Sequence, residues 1–448
     1  MKKRMTLVLA IIVALVTGLM VACAAPAPAP APAPTPAPSP PPISIPPEPC
    51  EFPDENLEAA ISDALGKPAG EAITPAELAG LTELSATMQS ITDLSGIEYC
   101  ANLTNLYLSY NQISDISPLA SLTNLTLLDL SVNQISDLSP LSSLTNLVEL
   151  WLSDNQISDL SPLSSLTNLT WLDLQGNQIS DLSSLASLTN LTVLDFASNQ
   201  VSDLSPLTSL TDLKGLRLHG NQVSDLSPLP SLTNLDDLGL GGNEIRDISP
   251  LASLTNLTFL YLSANQIRDI SPLASLSNLV ELHLSTNWIK DISPLAALAN
   301  LDLLDLYNNG ISDISPLASL TNLTVLDLAS NQISDLPALA PLIKLVDLRL
   351  GSNQIRDISP LASLTKLKFL YLSANQIHDI SSLASLTDIA RLNLDRNQIS
   401  DLSPLLENSG LGKEDQLDLY GNNLDLLEGS EDMENIRKLE ERGVEVSY

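Results

Sequence analysis

Few side chains in this 448-residue chain have types that could do chemistry, and their spacing argues against catalysis. His219 and His283 fall three periods of the sequence apart, about 14 Å at the spacing of neighbouring strands, which is too far to share a metal ion. His378 falls at a different point of the period. Among Cys23, Cys50 and Cys100, none has a partner set for nucleophilic chemistry. Gly239-Leu240-Gly241-Gly242 is glycine-rich but opens no long helix, so it does not read as a phosphate loop. The expectation is no enzyme, no cofactor and no metal centre.

The largest charged set is a column of aspartates. Asp93, Asp115, Asp137 and Asp159 recur in step as far as Asp401, and most precede Ile/Leu-Ser-Pro-Leu. In that run Ser and Pro read as the N-cap and first residue of a short helical turn. The Asp is expected to bond backbone N–H groups of the turn. The alternative is a ladder of Ca2+ sites, but the glycine-rich spacing of a calcium loop is missing.

The other distinctive set is aromatic and suits binding. Of 15 aromatic residues, ten fall in columns beside two recurring Leu: Tyr107, Tyr110, Trp151, Trp171, Phe259, Tyr261, Tyr307, Phe369, Tyr371 and Tyr420. Charged residues share these columns, among them Arg217, His283 and Arg349. Exposed Trp and Tyr rimmed by charge are the usual composition of a binding hot spot. The plainer account is that strands favour aromatic residues with no ligand behind them. The candidate ligand-binding set is Tyr107, Tyr110, Trp151, Trp171, Arg217, Phe259, Tyr261, His283, Tyr307, Arg349, Phe369 and Tyr371. Part of it is duplicated, since Phe259-Leu260-Tyr261 returns five periods later as Phe369-Leu370-Tyr371.

What must position these columns is a repeat. Leu106-Tyr107-Leu108-Ser109-Tyr110-Asn111-Gln112-Ile113 returns one period later as Leu128-Asp129-Leu130-Ser131-Val132-Asn133-Gln134-Ile135. Asn keeps that register from Asn111 through Asn133 and Asn155 to Asn397. A degenerate copy with Leu84, Ala86 and Ile91 precedes, and a last copy with Leu417, Leu419 and Asn422 follows. A period of about 22 residues with L-x-L-x-x-N-x-I/L is the signature of a leucine-rich repeat solenoid. Each unit has one short apolar strand and a second apolar run, such as Leu138, Leu141, Leu144 and Leu147. No unit closes a core alone, so units stack. The expected fold is an α/β horseshoe: a parallel concave sheet, short helical or 3-10 turns on the convex side, and helical caps at both ends. Side chains alternate along a strand, so the residues beside the two Leu point out of the sheet. The repeated Asn turns inward, where its amide can bond backbone of its own and the adjacent turn.

Composition agrees. Hydrophobic residues are 44% of the chain but aromatics only 3%, so Leu does the packing. The net charge of −33 repels phosphate backbones and makes nucleic acid a poor partner. It also favours a soluble monomer.

Residues 1–22 read as an export leader, with basic Lys2-Lys3-Arg4 before an apolar run from Leu7 to Met20. Leu19-Met20-Val21-Ala22-Cys23 resembles a bacterial lipobox, cut before Cys23 and lipidated there; a plain signal peptide cut near the Ala-Pro run is the alternative. Residues 23–49 are Ala/Pro-rich and extended at about 3.1 Å per residue, a spacer of roughly 80 Å. Residues 50–80 read as a helical cap. Its first helix has a stripe of Leu57, Ala60, Ile61, Ala64 and Leu65, ended by Gly66. Thr74-Pro75-Ala76-Glu77 has capping-box spacing. The repeats then occupy 81–427 as about 16 units, and 428–448 form a C-terminal cap. There Ser430 opens a helix, Gly443 ends it, and Val444-Glu445-Val446 suits a last edge strand. In an exported protein Cys50 and Cys100 are expected to bridge cap and first turns; two separate thiols are the alternative.

The chain resembles the internalin family. The resemblance rests on Phe52-Pro53-Asp54-Glu55-Asn56-Leu57 with Ile73-Thr74-Pro75-Ala76-Glu77-Leu78, on Ile91-Thr92-Asp93-Leu94-Ser95-Gly96-Ile97-Glu98-Tyr99, and on Asn-Gln-Ile-Ser-Asp-Ile-Ser-Pro-Leu recurring at the repeat period. It covers about 50–427 and implies an exported solenoid that binds a partner on its concave sheet. Residues 428–448 show neither the Leu-Pro-x-Thr-Gly sorting signal nor the β-sandwich or basic wall-binding modules of the invasive members, so a role in host-cell entry is not the expectation. The expected function is a cell-surface adhesion protein, lipid-anchored to the membrane or secreted, with a protein ligand on the concave face. The alternatives are a glycan or cell-wall adhesin and an envelope spacer without a ligand.

Overall fold

The structure is a computed structural model that describes residues 50–68 and 70–448. The leader, Cys23 and the Ala/Pro tract lie outside the described residues. Among the described residues, seventeen three-residue strands run in chain order from β1 (Glu83–Ser85) to β17 (Glu445–Ser447). Each pairs in parallel with the next, in one sheet. Partners in the repeats sit one period apart, as in Asp129↔Trp151 and Trp151↔Asp173. In nearly every strand the middle residue is buried and its neighbours are partly exposed. The leucine-rich repeat solenoid expected from the period is the observed fold. β17 is the expected edge strand and pairs with β16 (Gln416–Asp418).

One continuous core runs through all units. Leu128, Leu130, Ile135, Leu138, Leu141, Leu144 and Leu147 are all buried, and so are their equivalents along the stack. Opposite the sheet each unit makes a short 3-10 turn, such as Ser139–Ser143. Ser139 is the first residue of that turn rather than its cap, and Pro140 is the second. The capping oxygen belongs to Asp137, whose Oδ1 accepts the Ser139 N–H at 2.8 Å. The same bond recurs in most units between Asp115 and Asp401. The aspartate column is thus exposed, solvated and occupied by turn bonds. Among the described residues no three acidic, His or Cys side chains converge to hold a cation.

The repeated Asn ties its own unit to the preceding one. Asn155 Nδ2 donates to Leu130 O at 3.0 Å and Leu152 O at 3.1 Å, and its Oδ1 accepts the Ile135 N–H at 2.9 Å. A second, exposed ladder had no place in the sequence reading. The Asn of each Thr-Asn-Leu donates to a carbonyl of the preceding unit, as Asn124 does to Ala101 O at 2.9 Å.

At the N-terminal end, α1 (Glu55–Leu65) is capped by Asp54 and closed by Gly66 at φ 69°. Its stripe differs from expectation: Leu57, Ile61 and Ser62 are buried while Ala64 is exposed. One Asp54 oxygen accepts from Asn56 and Leu57 N–H, and the other from Thr92 and Asp93 N–H. That single carboxylate joins the cap to the first repeat. In α2 (Pro75–Leu78) the Glu77 carboxylate accepts the Thr74 N–H and hydroxyl. After a short α3 (Ser403–Glu407), α4 (Glu431–Glu441) covers the far end, with Ser430 Oγ accepting the Met433 N–H.

The expected Cys50–Cys100 bridge is not formed; both are free thiols. Cys100 is fully buried in the core slot that Leu122 fills one unit later, where a thiol packs as a small apolar group. Burial first, then the nearby Cys50 and Glu98, pushes the Cys100 thiol up to about 12, leaving it inert. No helix among the described residues is long and apolar enough to cross a membrane.

Candidate ligand-binding face

In each unit the strand offers its first and third residues to solvent, and the chain then offers two more before the buried Asn. Trp171, Phe259 and Phe369 are first-position residues; Tyr107, Trp151, Arg217, Tyr261, His283, Arg349 and Tyr371 are third-position residues. Tyr307 and Tyr420 follow two residues later, exposed at 43% and 61%. Tyr110 is in the later of the two positions before the buried Asn. It is at the residue just before Asn111, in a left-handed turn at φ 58°, and projects at the rim. The same position has positive φ in every unit from Tyr110 to Gly421, including the β-branched Val132 and Thr286. Gly176, Gly220 and Gly242 were the sequence signal for it.

The third-position aspartates have a structural duty as well. Oδ1 of Asp129, Asp173, Asp195, Asp305 and Asp327 each accepts the backbone N–H two residues on, at 2.8–3.0 Å. Burial pushes the carboxyls of Asp173, Asp195 and Asp327 up, and a nearby like charge, from Asp195, Asp237 and Asp305 respectively, adds to this.

Two clusters are assembled. In the first, Arg217 lies 3.0 Å from Asp237 and 3.8 Å from Asp195. Beside it the Tyr261 ring stacks on His283, centroids 4.9 Å apart, and meets the edge of His219 at 5.9 Å. His283 also reaches Asp305 at 3.7 Å and Glu281 at 3.9 Å. Burial acts to raise the Asp305 carboxyl, but hydrogen bonding from His283 and Ser285 holds it below the usual range. His219 was not among the sequence candidates. Its ring lies over Gly239, where a β-carbon would collide with it, and its Nδ1 accepts the Gly241 N–H at 3.2 Å. The glycine run therefore makes room for a histidine. Burial keeps His219 below its ordinary value, so it is neutral near pH 7.

In the second cluster Arg349 lies 2.9 Å from Asp347, 3.7 Å from Asp327 and 5.6 Å over the Tyr371 ring. Arg391 lies 5.9 Å from the same ring. Arg349, Tyr371 and Arg391 line a shallow pocket with Tyr307. Towards the N-terminus Trp151 and Trp171 stand on adjacent strands, and the buried Trp171 Nε1 has no acceptor. Trp288 lies outside the strand columns, 48% exposed, with Arg268 at 5.0 Å over its ring. The face is suited to holding a polypeptide or sugar surface by stacking and ion pairing.

A family model described as leucine-rich repeats in two copies matches eight overlapping or adjacent segments that together span 80–407. No curated protein matches the chain. Among solved structures, the internalin InlF from Listeria monocytogenes is similar at 39% identity, covering 78% of this chain and 96% of its own, with a TM-score of 0.66. A leucine-rich repeat protein of Leptospira interrogans is similar at 26% identity, covering 84% of this chain and 97% of its own, with a TM-score of 0.76. The functional domain of the internalin InlJ from Listeria monocytogenes is similar at 27% identity, covering 78% of this chain and 80% of its own, with a TM-score of 0.66. By repeat model, identity and coverage together, the chain belongs to the leucine-rich repeat proteins of the internalin type.

Proposed function

We propose that this is a non-enzymatic binding protein of the bacterial cell surface, taking a protein ligand on its concave face and held by lipid at Cys23. The observation that carries the proposal is where the sequence varies. Buried positions repeat Leu, Ile and Asn almost without change, whereas the solvent-facing strand positions carry Tyr107, Trp151, Trp171, Arg217, Tyr261, His283, Arg349 and Tyr371. A scaffold under packing constraint alone has no use for such variety on one face. Large, stiff aromatic anchors with charges beside them are what protein interfaces concentrate at their centres. The test is capture from envelope extracts, with a variant bearing Ser at Tyr107, Trp151, Trp171, Tyr261 and Tyr371. A protein captured by the native chain and lost by the variant supports the reading; equal capture moves the site to the convex or terminal surfaces.

A glycan reading is favoured by one feature, the partly exposed Trp151 and Trp171 on adjacent strands, which offer a stacking platform. Competition by free sugars separates the two. The anchor is tested by Cys23→Ser, which is expected to move the protein from the membrane fraction to the medium.

A further inference from the structure

The solenoid is divided by charge. Between Lys67 and Lys214 the chain has 16 Asp and Glu and no Lys, Arg or His. On the concave face of that stretch lie β3 (Leu127–Asp129), β4 (Glu149–Trp151) and β5 (Trp171–Asp173). Their register sets Trp151 between Asp129 and Asp173, and Trp171 beside Glu149. All five side chains are partly exposed. Asp129 spends one oxygen on its turn, and Asp173 spends one on its turn and also takes a hydrogen bond from the Ser153 hydroxyl, so both carboxylates keep accepting capacity toward solvent. None of the ion pairs among the described residues involves Asp129, Glu149 or Asp173.

Further along, the same columns hold the chain's own cations. Arg217 bridges Asp195 and Asp237, and Arg349 bridges Asp327 and Asp347 while lying against Tyr371. These show what the face accommodates: in both cases a guanidinium reaching carboxylates on two strands, and at Arg349 one lying against an aromatic ring. On β3–β5 the carboxylates and the rings recur without a cation of the chain's own. Resting on the protein-binding reading above, we infer that β3–β5 dock a basic segment of the partner, with an Arg or Lys side chain laid on Trp151 between Asp129 and Asp173. A cation over an indole face gains from the ring quadrupole, and two flanking carboxylates add charge pairing. An anionic glycan or acidic segment would be repelled from this stretch.

The test is a titration of the full-length protein, at physiological salt to screen non-specific attraction. The probe is a peptide of alternating Gly and Arg, with the neutral Gly–citrulline isostere as control and Trp emission as readout. Binding by the Arg peptide and none by citrulline is expected. Asp129→Asn with Asp173→Asn should weaken it about tenfold or more. That variant retains the turn, because Asn393 in the same column accepts the Asp395 N–H at 3.1 Å. Asp137→Asn with Asp159→Asn removes the same charge from the convex side and should change affinity by less than about twofold. No binding of the Arg peptide, or equal loss in both variants, overturns the inference. If a captured partner is lost by the five-residue aromatic variant yet binds the Asp129/Asp173 variant as tightly as the native chain, the protein-binding reading stands and this inference fails.

Discussion

Asn155 shows how much one side chain carries in this fold. It satisfies the Ile135 N–H and the Leu130 and Leu152 carbonyls, all buried. Asn155→Ala leaves the Ile135 N–H unpaired, at about 1–3 kcal/mol, while Leu130 O keeps the bond from Asn133 and Leu152 O keeps the bond from Asn177. A loss of about 1–3 kcal/mol in urea unfolding is therefore expected; a loss well below about 1 kcal/mol would mean the ladder is dispensable at a single rung. This role was legible in the sequence, because an amide at fixed register beside buried Leu has few other uses. The duty of Asp54 was not legible, since its second oxygen bonds Thr92 and Asp93, far along the chain in the first repeat. Nor was the placing of His219 over Gly239, which depends on the absence of a side chain one unit further on.

At the scale of the element, the tight turn after each strand forces one residue to positive φ. Val132 adopts φ 55° there, a conformation that crowds a β-branched side chain. Val132→Gly should raise stability by about 0.5–1 kcal/mol, the relief of strain exceeding the added chain entropy. An unchanged or lower unfolding midpoint would show that the Val132 side chain has packing value of its own. The strand predicts a second contrast. Trp151→Ala with Trp171→Ala removes partly exposed rings and should cost less than about 2 kcal/mol in total. Phe196→Ala, at a fully buried strand-end position, should cost about 3–5 kcal/mol. If the Trp pair costs more than Phe196, the rings are core and the concave face has been misassigned. Strand placement was readable from the period because a slip of one residue would turn the Leu outward. The positive-φ position was announced only where glycine fills it, at Gly176, Gly220, Gly242 and Gly421.

Over the whole molecule, two populations of aspartate oppose each other as pH falls. In the concave sheet, burial raises the carboxyls of Asp173, Asp195 and Asp327 above their unfolded range. For these the folded state takes up a proton more readily than the unfolded one, so acidification towards the ordinary carboxylate range stabilises the fold. The second population is held low. At Asp54 burial acts upward, but hydrogen bonds from Thr92, Asp93 and Leu57 outweigh it. In the loop column the backbone bond from Ser139 lowers Asp137, and those from Ser183, Ser227 and Ser359 lower Asp181, Asp225 and Asp357. Their contribution is fully present above the unfolded value near about 4 and is lost as pH drops through their lower folded values. Relief of repulsion in a chain of net charge −33 acts in the same direction as the first population. Stability should therefore rise on going from neutral pH to just above the ordinary carboxylate range, then fall steeply below it. Urea midpoints measured from about pH 8 to about pH 3 test this. A midpoint that falls steadily from neutrality would mean that the sheet carboxylates are neutralised by their Arg and His neighbours, and that the concave face has no net acidity to offer a ligand.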